Sequence, residues 1–167
     1  MITPSYLHTM AHYNAWQNES IYGAAAGLSD AARKEDRGAF FGSVHATLNH
    51  ILWADQTWLS RFGASAPPSA RSIAEGLTRF EDWEALWLER RRLDSVLSNW
   101  ADAVDASALA GDLTWYSAAL NREVTKPKAL LVTHLFNHQT HHRGQVHAML
   151  TGFGVKPGST DLPFYAG

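Results

Sequence analysis

Two stretches of this chain repeat one spacing. Val44, Leu48, Ile51, Asp55, Trp58 and Phe62 recur at alternating intervals of four and three, and Leu131, Leu135, His138, His142, Gln145 and Met149 do the same. Such intervals return to one face of an α-helix at every turn, so each stretch is expected to be a helix with that face turned to a core. In the second stretch the rhythm carries two imidazoles to the interior side.

The remaining helices read less regularly. Thr3-Pro4 supplies a capping hydroxyl and a proline at the first helical position, and Leu7, Met10, Asn14, Ile21 and Ala25 follow at helical spacing, which predicts a first helix over about residues 4–27. The first rhythmic stretch predicts a second over about 41–62. After the breaker Gly63-Ala-Ser-Ala-Pro-Pro-Ser, a third is expected over about 72–102, with Glu81, Asp82, Glu84 and Glu89 to Arg92 on a solvated face. Leu113-Thr-Trp-Tyr-Ser and Arg122-Glu-Val-Thr are β-prone and predict a short hairpin. Thr125 and Pro127 then read as the start of a fourth helix, about 126–151, ended by Gly152 and Gly154. The tail from Val155 is expected to pack as an irregular arm. The fold class so predicted is all-α, a four-helix bundle forming a single domain over 1–167.

Composition narrows the function. Charged residues make up 18% of the chain, below the roughly 25% of ordinary soluble domains, and the formal net charge is −2 with no basic run. Nothing here attracts nucleic acid or an anionic membrane, and a small-molecule substrate is the expected partner. The Met1-Ile-Thr-Pro start carries no basic region followed by an apolar stretch, and no apolar run approaches a membrane span, so a cytoplasmic protein is expected. Cysteine is absent, so any metal must be held by histidine and carboxylate.

Five of the nine histidines, His134, His138, His141, His142 and His147, lie in the last predicted helix. His138 and His142 are four apart on the core-facing stripe and read either as two metal ligands or as core histidines bonded to side chains or water. Position 139 is Gln, so the His-Glu-x-x-His arrangement of metalloproteases is missing its base. A third ligand is best sought at His50, beside the stripe of the second helix and near the small Thr47, Ala54 and Thr57. His45, five residues earlier, is turned about 140° away and reads as surface or packing. His134, Gln145 and Asp55 are candidates to orient ligands or a water, with Asp55 equally readable as a buried structural hydrogen-bonder. His141 and His147 read as peripheral, and the pair His8 and His12 as surface or packing.

These residues carry a resemblance. Met10 to Asn18 (Met-Ala-His-Tyr-Asn-Ala-Trp-Gln-Asn), Phe41 to Leu59 with its Leu-Asn-His-Ile-Leu-x-x-Asp, Asn137 to Val146 with its Asn-His-x-x-x-His-Arg-Gly-Gln, and the Gly152 to Tyr165 tail with Asp161-Leu162 together resemble the DinB family, the damage-inducible DinB/YfiT-like metalloenzymes. The resemblance covers nearly the whole chain. It implies a four-helix bundle with a crossover connection and a three-histidine divalent metal site, carried onto His50, His138 and His142.

Three neutral imidazoles leave a divalent ion (Zn, Ni, Fe or Mn) an open position, suited to activating a water or a low-molecular-weight thiol. Relatives of the family include thiol-dependent transferases and isomerases, so the resemblance favours a thiol S-transferase or isomerase. The alternatives are a metal-dependent hydrolase and a noncatalytic metal- or ligand-binding stress-response module. In the last, aromatic residues and Gly144 would serve a homodimer surface.

Overall fold

The Thr3 hydroxyl accepts from Tyr6 N at 3.1 Å and opens α1, Pro4–Ala26, whose inward face carries Leu7, Ala11, Ile21, Tyr22 and Ala25. The structure, a computed structural model, describes residues 2–118 and 120–165. Ser29 caps the short α2, Asp30–Lys34, and Ser43 caps α3, Val44–Arg61. After α4, Ile73–Leu77, and α5, Trp83–Ala103, the chain forms β1, Asp112–Ser117, and β2, Arg122–Pro127. It then enters α6, Lys128–Gly152, and ends in a 3₁₀ turn at Leu162–Phe164.

Helix α1 packs on α5 and α6, and α3 packs on α4, α5 and α6. The shared core is built of Leu7, Leu48, Leu52, Leu86, Leu93, Leu97, Leu135, Phe136 and Leu150, each close to fully buried. Burial of a side chain of this size stabilises by about 1.5–3 kcal/mol. Among the described residues no helix is long and apolar enough to cross a membrane.

The expected all-α four-helix bundle with a crossover connection is corrected: the described residues form six helices and a two-stranded antiparallel sheet. Two local features build the sheet. The sheet pairs Thr114 with Thr125 and Trp115 with Val124, β-branched and aromatic pairs that favour a pleated surface. Asn121, at φ 50°, takes the left-handed conformation in the intervening turn. Thr125, expected to cap the last helix, is thereby used across the strands, its hydroxyl 2.7 Å from that of Thr114, and α6 begins without a side-chain cap.

The helix expected over 72–102 is broken at Thr78–Asp82. Asn49 of α3 clamps the break, accepting from Phe80 N at 3.0 Å and donating to Phe80 O at 3.1 Å, while Asp82 caps α5 by accepting from Ala85 N at 2.8 Å. The expected solvated face of that helix also needs one correction. Arg91 and Arg92 do form exposed pairs with Glu19 and Glu89, but Arg90 is buried, because it shares a stripe with Trp83, Leu86, Leu93 and Leu97. It bonds Asp55 Oδ2 at 2.6 Å and lies 2.8 Å from Asp94 Oδ1.

The tail lies along α1. Gln17 donates to Ser159 O at 2.9 Å, Tyr13 OH bonds Thr160 O, and Tyr165 packs against Trp16.

Candidate metal centre

Ser43 starts α3 so that His50 falls two turns in, on the side facing α6. The long unbroken α6 presents His138 and His142 one turn apart at its middle. Ring centroids lie 5.1 Å apart for His50 and His138, 4.8 Å for His50 and His142, and 4.5 Å for His138 and His142. One ring nitrogen from each of the three lies within 4.8 Å of the others.

The donor chemistry fits a cation. The Nε2 atoms of His50 and His138 face each other at 3.2 Å, and two lone pairs cannot share that distance without a proton or a cation between them. A third ring nitrogen converging on the same point favours the cation. His142 Nδ1–H donates to Gln145 Oε1 at 2.8 Å, which leaves the His142 Nε2 lone pair free. The buried Nδ1 atoms of His50 and His138 have no hydrogen-bond partner among the described residues, so no protein acceptor fixes the tautomer of either ring.

Burial sets the charge state. Desolvation, with His142 nearby, pushes His50 down to about 4. Desolvation and the neighbouring His142 and His50 push His138 down to about 3, and burial lowers His142 as well. At neutral pH all three are uncharged imidazoles, the form that binds metal.

The structure sorts the other expected residues plainly. Gln145 touches His142, and its Nε2 lies 3.3 Å from His141 Nε2. His134 stands between Trp58 and His138, with ring centroids 5.3 and 5.6 Å away. Asp55 is bonded to Arg90 rather than to an imidazole, a buried structural role. His45 is packed between helices, its Nε2–H donating to Phe80 O at 2.7 Å. His147 borders a cavity beside Tyr13 and Arg143, away from the three imidazoles. Gly144 faces open space, since a Cβ there would meet no atom within 4 Å, so no helix of the chain packs closely against it.

One contributor was not named from the sequence. Phe41, expected at the start of the helix over 41–62, lies instead in a non-helical turn ahead of the Ser43 cap. There its ring stands 4.0 Å from that of His50 and 5.3 Å from that of His142.

Fold and site together define a mainly helical protein whose interior gathers three neutral imidazoles from two helices in a manner suited to a divalent ion. The chain belongs to the DinB family, whose family model matches residues 1–167. It is 24% identical over 159 residues to Protein DinB of Bacillus subtilis (strain 168), an alignment covering 92% of this chain and 89% of that protein. The fold is shared with a crystal structure of a DinB-like protein from Bacillus cereus, at a TM-score of 0.66 and 16% identity, over 86% of this chain and 90% of the other.

Proposed function

We propose that His50, His138 and His142 hold a divalent ion and that the protein uses it on a low-molecular-weight thiol, in an S-transferase or isomerase reaction on a small electrophile. The observation that carries this reading is the convergence of three uncharged ring nitrogens on one point. Held by these three imidazoles, such an ion would supply Lewis acidity, which would lower the pKa of a thiol or water brought to it.

The chain's own groups supply orientation and shielding. Gln145 holds the His142 ring by its Nδ1–H and so aims its Nε2 inward. Phe41 and Trp53 flank His50 with apolar surface, keeping water from that side. The imidazoles bring no negative charge, so an ion they held would keep its full charge toward an anionic ligand such as a thiolate. Among the described residues no carboxylate is hydrogen-bonded to the three rings to serve as a hydrolytic base, which favours the thiol reading over hydrolysis.

The test is to load the purified protein in turn with Zn²⁺, Ni²⁺, Fe²⁺ and Mn²⁺ and assay thiol consumption against a panel of electrophiles. Consumption with at least one metal, lost together with one bound metal in His142→Ala, is expected. No consumption with any metal would overturn the transferase reading, and an unchanged metal content in His142→Ala would overturn the ligand assignment.

A further inference from the structure

A second cluster of ring nitrogens and a carboxylate lies on the solvent-facing side of α1, where His8 and His12 sit one turn apart. The last turn of α5 brings Asp102 to both of them. His8 Nδ1 is 2.6 Å and His12 Nε2 is 3.0 Å from the same atom, Asp102 Oδ1, and the two rings are 4.4 Å apart. We propose that His8, His12 and Asp102 form a second divalent metal site, on the surface, that ties α1 to α5.

Three features carry the inference. The donors are two imidazoles and a carboxylate, a set that suits Zn²⁺, Ni²⁺ and Cu²⁺. They converge already, one atom of each within 4.8 Å of the others, so an ion about 2.0–2.2 Å from each donor requires only small side-chain rotations. The side chains are partly exposed, 59% for His8, 31% for His12 and 46% for Asp102, so water can complete the coordination shell and little desolvation opposes the ion. On binding, the proton now shared with Asp102 at each ring nitrogen moves to the other nitrogen of that ring, leaving both imidazoles neutral. The bond to the ion crosses between two helices that pack on each other, so it fastens the N-terminal helix to the end of α5. The site is independent of the interior histidines and of the activity proposed for them.

Zinc bound per chain, measured by equilibrium dialysis and elemental analysis on untagged, chelator-stripped protein, tests it. His12→Ala and Asp102→Asn are each expected to bind one zinc fewer than wild type, with unchanged circular dichroism, whatever the interior site holds. A wild-type zinc count in either variant would overturn the three-donor site and leave a hydrogen-bonded cluster in its place. In the unmodified protein, zinc is expected to shift the imidazole nitrogen resonances of both His8 and His12, and resonances that stay in place at saturating zinc would overturn the proposal without recourse to a variant.

Discussion

Arg90 Nη1 donates to Asp55 Oδ2 at 2.6 Å, and neither side chain is more than 1% exposed, so α3 and α5 are joined by a charge pair shut away from water. Arg90 also lies 2.8 Å from Asp94 Oδ1, so the guanidinium is shared by two carboxylates, and removing it strands both in a medium that solvates them poorly. Arg90→Ala is expected to lower stability by about 3–5 kcal/mol, and Arg90→Met with Asp55→Leu and Asp94→Asn together by much less. Urea denaturation of the two variants checks this; equal losses would show that the penalty lies in packing rather than in the orphaned carboxylates.

Gln145 acts on His142 through a single hydrogen bond. Gln145→Leu keeps the size of the side chain and removes the acceptor, so metal affinity at the interior centre is expected to fall about 10- to 100-fold with the stoichiometry preserved. Competition with a chromophoric chelator measures it, and an unchanged dissociation constant would show that the ring is held by packing alone.

The interior imidazoles make the metal-free protein sensitive to acid. Unfolded, they titrate near 6.5; folded, His50 titrates at about 4 and His138 at about 3. Between those limits the unfolded chain binds more protons than the folded one, so this contribution to stability is complete above pH 6.5 and is lost as pH falls toward 3. Denaturation midpoints of metal-free protein between pH 7.5 and 4.5 are expected to fall less steeply in His50→Gln than in wild type. Parallel curves would assign the acid sensitivity to other groups.

Gly76 lies where α4 meets α3. A Cβ at this position would stand 2.8 Å from Cγ and 2.9 Å from Cδ2 of Trp53, so the indole must move. Gly76→Ala is expected to cost about 1–3 kcal/mol despite the gain in helix propensity, visible as a lower melting temperature. A raised melting temperature would mean that Trp53 gives way freely.

Much of the interior centre was legible because its residues obey helical rhythm. His138 and His142 share a stripe with Leu135, and His50 adjoins Ile51, so direction could be read from spacing. Arg90 was equally legible, since Trp83, Leu86, Arg90, Leu93 and Leu97 keep intervals of three and four, but the surrounding run Glu89 to Arg92 reads as solvated. The break at Phe80 was not legible: it depends on Asn49, which reaches it from another helix. Asp102 carries no signal of its own either, and its meaning comes from the packing of α5 on α1.

The two sides of the interior centre are 88 residues apart in the chain, His50 on one and His138 with His142 on the other. An unfolded chain therefore offers an ion no more than the local pair of α6, and the third imidazole arrives only once α3 has docked. Occupancy of the proposed site would thus favour the native state, adding stability as RT ln(1 + [M]/Kd). An ion held there would be a tether to be released before these helices separate, and so a brake on unfolding.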